Sequence, residues 1–148
     1  MAMAKPDGRG VHHQTLAGCT VLVVEDEYLI ARDIGAALRD HGAHVAGLCP
    51  DLPSALKLLD GDQPIDGAVI DINLRGVRAF ELADTLQRRG IGFVIATGYD
   101  VDILPKALAT APRCTKPINY QRLVRLLSQQ MGACHQGHFE AAASALLD

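Results

Sequence analysis

Tryptophan is absent and aromatic residues make up only 4% of the 148 residues, so the core has to be assembled from Val, Ile, Leu and Ala. No apolar run approaches the roughly 18 residues that a membrane-spanning helix needs. The Met1 to Gly18 segment has no apolar centre of the kind a signal peptide carries. A cytoplasmic location without a membrane partner is therefore expected. The cysteines Cys19, Cys49, Cys114 and Cys134 include no CxxC pair, which argues against a disulfide framework or a zinc site and leaves buried or idle thiols. Positive charge is not in excess either: 14 basic residues stand against 17 acidic ones, without the clustered basic face that binds nucleic acid.

What is present is an alternation of two patterns over a length that suits one domain. Met1 to Gly18 has no periodicity and reads as a flexible leader, residues 132–148 as a tail, and residues 19–131 as the folded domain. "TVLVV" from Thr20 is a continuous β-branched run, expected of a strand covered on both faces, and it stops at "EDE". Leu29, Ile30, Ile34, Ala37 and Leu38 then recur at helical spacing until His41 and Gly42. The alternation continues with "AHVAGLC" as strand, Leu52 to Leu59 as a helix entered by Asp51 and Pro53, and "DGAVIDI" as strand. Phe80 to Arg89 follows as helix, "IGFVIAT" as strand, "RCTK" as a short strand, and Tyr120 to Leu127 opens a closing helix. Between Thr97 and Lys116 the rhythm weakens, and Pro105 and Pro112 leave room only for a short or irregular fourth helix.

Strands alternating with helices imply parallel pairing through right-handed crossovers, hence an α/β, doubly wound sheet. Five strands suggest the flavodoxin-like order 2-1-3-4-5, with chemistry in the crevice beyond the carboxyl ends of the strands. That edge would receive Glu25 and Asp26 after the first strand, Asp71 after the third, Thr97 after the fourth and Lys116 after the fifth.

Three carboxylates so close repel one another unless a cation or proton intervenes. Magnesium suits them, because it takes oxygen ligands and often binds through one or two carboxylates together with phosphate oxygens. Asp26 and Asp71 would coordinate it directly, Glu25 through water, and a main-chain carbonyl near Asn73 would add a ligand. A carboxylate attacks phosphorus when the charge growing on the phosphoryl oxygens is neutralised. The Thr97 hydroxyl and the Lys116 ammonium would share that task with the cation.

From Thr20 to about Met131 the chain resembles the receiver domain of two-component response regulators, with "VLVVEDE", "AVIDINL", "IATGY" and "TKPI" in order. The resemblance implies that Asp71 is the phosphoacceptor, Glu25 and Asp26 the metal-binding acidic pair, Thr97 the switch hydroxyl and Lys116 the phosphate-binding lysine. It also implies a cis bond between Lys116 and Pro117. Receivers usually carry a switch aromatic three positions before the lysine, and here Arg113 stands there. "FVIATGY" instead resembles an atypical subgroup common among alphaproteobacterial stand-alone receivers, which makes Tyr99 a candidate signalling aromatic.

Each residue alone has a plainer explanation. Asp71 suits a strand-to-loop turn, Glu25 and Asp26 suit the first turn of a helix, and Thr97 and Lys116 suit solvated surfaces. Four strand ends supplying acids, hydroxyl and ammonium to one edge make the functional reading the stronger. His41 with His44, and His135 with His138, lack a third ligand and read as solvated, as do His12 and His13.

The expected function is that of a stand-alone receiver. It would take a phosphoryl group from a histidine kinase or phosphotransfer protein and catalyse its own phosphorylation and dephosphorylation. Output would come by protein contact or by competition for phosphate, with the target unnamed and a homodimer allowed. After Lys116 too little sequence remains for a DNA-binding output domain. A haloacid-dehalogenase-like phosphatase would need a second carboxylate two residues after the nucleophile, where Asn73 stands. A nucleotide or flavin binder would need a Gly-rich loop where "EDE" stands. A phosphorylation-independent adaptor is the remaining alternative, kept open by Arg113.

Overall fold

The computed structural model describes residues 15–98 and 104–132. Its strands are β1 (Thr20–Val24), β2 (His44–Cys49), β3 (Gly67–Ile70), β4 (Asn73–Leu74), β5 (Val77–Arg78), β6 (Gly92–Thr97) and β7 (Arg113–Thr115). Its helices are α1 (Tyr28–Asp40), α2 (Leu52–Leu59), α3 (Phe80–Arg88) and α4 (Tyr120–Met131), with a 3₁₀ turn over Lys106–Leu108. The main sheet is five-stranded and parallel, in the order β2-β1-β3-β6-β7. With the small β4-β5 pair set apart, this is the 2-1-3-4-5 order of a flavodoxin-like fold.

Alternation along the strands sorts the core into two layers, because successive side chains point to opposite faces. Leu22, Val24, Ala68, Ile70, Phe93 and Ile95 face α2 and α3, where Ala55, Leu59, Leu82, Ala83 and Leu86 are buried. Val21, Val23, Val69, Val94 and Ala96 face α1 and α4, meeting Ala31, Ile34, Leu38, Leu123, Val124 and Leu127. Full burial of each Leu, Ile or Val is worth about 1.5–3 kcal/mol, so the continuous apolar runs are what hold the central strands between two helical layers.

The helix ends follow local chemistry. The Asp51 carboxylate accepts from the Ser54 N–H at 2.9 Å and Pro53 occupies the first turn of α2, as the sequence implied. Asn119 caps α4 by accepting from the Arg122 N–H at 3.0 Å. The α1 helix has no side-chain cap. Of the acids before it, Glu25 accepts on Oε2 from the N–H of Glu27, the N-cap residue, at 3.3 Å.

Several features go beyond the sequence reading. Packing begins before β1: Leu16 is fully buried, and its N–H donates to the His41 carbonyl at 2.8 Å. The segment after Asp71 is an antiparallel hairpin, β4-β5, rather than a plain loop. In the region expected to hold a short fourth helix, the described residues form only the 3₁₀ turn. The Arg113 guanidinium donates to the Ala109 carbonyl just beyond that turn, at 2.5 Å. The Lys116–Pro117 bond is cis.

Cys49 and Cys114 are buried free thiols, and burial raises both pKa values, that of Cys49 to about 11, which keeps them protonated and inert. Cys19 corrects the expectation of idle thiols, since it is disulfide-bonded. His41 is the C-cap of α1, with Nδ1 2.9 Å from the Ala37 carbonyl, so part of that ring is used locally. Among the described residues no helix is long and apolar enough to cross a membrane. The rest of the leader, His12, His13, Tyr99, Cys134, His135, His138 and the tail from 133 onward lie outside the described residues.

Candidate functional site

Strand register decides which residues meet at the carboxyl edge. Val24 pairs with Ile70, so the next residue on each strand, Glu25 and Asp71, emerges side by side. The Asp71 N–H extends the ladder by donating to the Val24 carbonyl at 2.9 Å. Ile70 pairs with Ile95 on the other side of β3, which puts Thr97 at the neighbouring strand end, buried at 8% exposure. Thr97 in turn pairs with Thr115, and the Lys116 N–H donates to the Thr97 carbonyl at 2.8 Å. Residues far apart in sequence are thus delivered to one place by backbone pairing.

The side chains complete the cluster. Glu25, Asp26 and Asp71 offer carboxylate oxygens that all lie within 4.8 Å of one another. Lys116 Nζ sits 2.7 Å from Glu25 Oε1 and 2.9 Å from Asp71 Oδ2. The contact with Glu25 is a close charge pair but poorly aligned as a hydrogen bond, which leaves the buried Oε1 without a well-directed donor. Burial raises the Glu25 carboxyl to about 7, with Lys116 pulling it down and Asp26 and Asp71 pushing it further up. Burial lowers the Lys116 ammonium, yet its close contacts with the Glu25 and Asp71 carboxylates outweigh that and carry it above the usual lysine value.

The Asp71 carboxylate is fixed in rotation, since its Oδ1 accepts from the Asn73 N–H at 2.9 Å while Oδ2 faces Lys116. The Asn73 carbonyl is directed the same way. Ala79 N–H bonds the Ile72 carbonyl at 2.7 Å, so the next pair, Asn73 with Arg78, is a non-hydrogen-bonded one whose polar groups turn outward. In an extended residue N–H and C=O share a side, and here the N–H already points at Asp71.

Glu25, Asp26, Asp71 and Lys116 are therefore brought together, Asn73 joins them through its backbone, and Thr97 stands at the adjacent strand end. Two participants had no role assigned from sequence. Glu27 places Oε1 3.5 Å from Lys116 Nζ, and Arg75 places Nε 3.8 Å from Asp26 Oδ2. Glu27 belongs to the quoted "EDE", whereas Arg75 carried no sequence signal beyond the glycine that follows it. Chemically, the donor set is hard oxygen around a small space, which fits a divalent ion such as Mg²⁺. Glu25 Oε1 is buried beside the Lys116 ammonium at 2.7 Å, so a hard cation entering the site would share that carboxylate with the lysine.

The comparisons with known proteins show the family and the fold. Residues 21–128 match the family model for the response regulator receiver domain. A search of the curated proteins returns no match. Among solved structures, the chain is similar to the response regulator PhyR from Brucella abortus, with 25% identity and a TM-score of 0.66. That match covers 93% of this chain and 55% of PhyR, so the chain spans about half of PhyR's length. SdrG from Sphingomonas melonis Fr1 is 30% identical with a TM-score of 0.64, covering 73% of this chain and 94% of SdrG. A response regulator receiver protein from Sinorhizobium medicae WSM419 shares the fold at 22% identity and a TM-score of 0.67, over 79% and 97% of the two chains. Taken with the acidic cluster at the strand ends, the match over residues 21–128 means that the chain belongs to the receiver-domain family of two-component response regulators.

Proposed function

We propose that the protein accepts a phosphoryl group on Asp71 from a histidine kinase or a histidine phosphotransfer protein. The observation that carries this reading is the Asp71 carboxylate held between the Asn73 N–H at 2.9 Å and Lys116 Nζ at 2.9 Å, within an acidic group suited to a divalent cation. Asp71 forms a bond to phosphorus while the bond from phosphorus to the donor's imidazole nitrogen breaks and that nitrogen keeps the electron pair. Lys116 balances charge on the phosphoryl oxygens, and Thr97 supplies a hydroxyl at the neighbouring strand end. Positioning and charge provide most of the acceleration in such a transfer. Asp26, Asp71, the Asn73 carbonyl and, through water, Glu25 would hold Mg²⁺, whose contribution is to neutralise the transferring oxygens.

Tyr28 and Leu29 are 67% and 61% exposed at the start of α1, beside the crevice, and offer the donor protein an apolar foothold. Output follows by protein contact or by competition for phosphate, in the cytoplasm, with Thr97 and Tyr99 as the signalling residues. A similar solved structure, PhyR from Bartonella quintana, is an anti-anti-sigma factor, which supports a protein target over a nucleic acid. The domain proper takes in Leu16 as well as the expected residues 19–131, flanked by a leader and a tail.

The test is incubation with acetyl phosphate and Mg²⁺. Wild type is expected to gain one phosphoryl group that hydroxylamine removes, and Asp71→Asn none. Labelling of the mutant to the wild-type level would assign the site elsewhere, and a wild type that is never labelled by any donor would favour the adaptor reading.

A further inference from the structure

The hairpin after Asp71 turns through Arg75 and Gly76, whose φ values are +54° and +88°. Two central residues at positive φ define a type I′ turn, matched to the twist of the flanking strands. The turn is fastened to the phosphoacceptor. Asn73 donates its N–H to Asp71 and accepts the Gly76 N–H on Oδ1 at 2.8 Å, while Leu74 is buried at 3% exposure. The base of Arg75 is therefore held in one place.

The backbone does not favour arginine there. A residue with a Cβ at positive φ is disfavoured, and glycine or asparagine suits the position better. What arginine adds is its side chain, which reaches back so that Nε lies 3.8 Å from Asp26 Oδ2. The Arg75 side chain is 80% exposed and that of Asp26 14%. The two cations divide the acids between them: Lys116 serves Glu25 and Asp71, and Arg75 serves Asp26.

We infer that Arg75 is a resident counter-ion of Asp26, which a divalent cation must displace to bind, so that Arg75 sets the cation concentration at which the site loads. The inference rests on the reading of Asp26 as a metal ligand. Of the two cations, Arg75 is the one that yields. Lys116 is 17% exposed and held by two carboxylates, whereas Arg75 makes a single loose pair at the surface and swings into water at little cost. An exposed pair of this kind is weak, which limits the effect to about two- to fivefold in the cation's apparent Kd.

The experiment is a Mg²⁺ titration of the full chain followed by the amide resonances of Asn73 and Gly76, for wild type, Arg75→Asn and Arg75→Lys. Asparagine keeps the turn, since Asn-Gly is the preferred I′ pair, and removes the charge. Arg75→Asn is expected to bind Mg²⁺ about two- to fivefold more tightly at low ionic strength, with the gap closing at about 0.5 M monovalent salt, and Arg75→Lys is expected to stay near wild type. Equal affinity in Arg75→Asn and wild type overturns the inference. So does weaker affinity in Arg75→Asn with the hairpin intact, which would make Arg75 a support of the site. If Mg²⁺ moves no resonance in either protein, the metal reading itself falls, and this inference with it.

Discussion

Lys116 Nζ stands 2.9 Å from Asp71 Oδ2, a contact that joins the last strand of the sheet to the central one across 45 residues of sequence. The same ammonium lies 2.7 Å from Glu25 Oε1, so two buried carboxylates share one cation. Most of the electrostatic behaviour of the ion-free protein follows from this arrangement.

Lys116→Ala leaves Glu25 and Asp71 facing each other without a counter-ion. Removing one partner from a buried pair costs about 3–5 kcal/mol, and the slight exposure of Lys116 puts the expected loss near 3 kcal/mol at neutral pH. Urea unfolding in chelator measures it, and added Mg²⁺ is expected to restore part of the lost stability. A loss below about 1 kcal/mol would mean that the two acids find water instead of relying on Lys116.

Glu25 gives the ion-free protein a particular pH dependence. Its folded-state pKa of about 7 lies above the ordinary 4.5, so folding favours the protonated carboxyl. The stability it contributes is whole below pH 4.5 and is lost as pH rises through 7. In chelator, the melting temperature of wild type relative to Glu25→Gln is expected to fall across that window. Parallel melting curves at every pH would show that Glu25 does not titrate there.

Two glycines separate backbone crowding from side-chain crowding. An added Cβ at Gly92 would come within 2.6 Å of the Gln130 carbonyl oxygen, and one at Gly67 would collide with Met131 Sδ. The helix backbone yields poorly and the thioether easily, so Gly92→Ala is expected to cost about 1–3 kcal/mol and Gly67→Ala less. Denaturant midpoints decide between them, and the reverse order would show that the end of α4 moves more readily than Met131 repacks.

Leu16 tests where the folded unit begins. It is fully buried in the layer beneath α1 and α4, and Leu16→Ala is expected to destabilise by about 2–4 kcal/mol in urea unfolding. A change within about 0.5 kcal/mol would return this position to the leader.

The sequence by itself determined the layers and the sheet order. Continuous β-branched runs and helical spacings are local patterns, and parallel pairing with right-handed crossovers leaves few ways to assemble them. Glu25, Asp26, Asp71, Thr97 and Lys116 were legible as a group for the same reason, since each directly ends a strand or follows its end, and strand ends share an edge. The tertiary structure decided what depends on side-chain reach and on chain that carries no period. The "NLRG" stretch is too short to show a pattern, and only the fold brings the Arg75 guanidinium to Asp26. Leu16 stands alone before β1, and its burial depends on the groove that α1 and α4 form together. Arg113 read as a missing aromatic, and the fold turns it into a clamp on the Ala109 carbonyl. Local periodicity reports which face of an element is apolar, but where a single charged side chain comes to rest is set by distant elements that approach it only once the chain has folded.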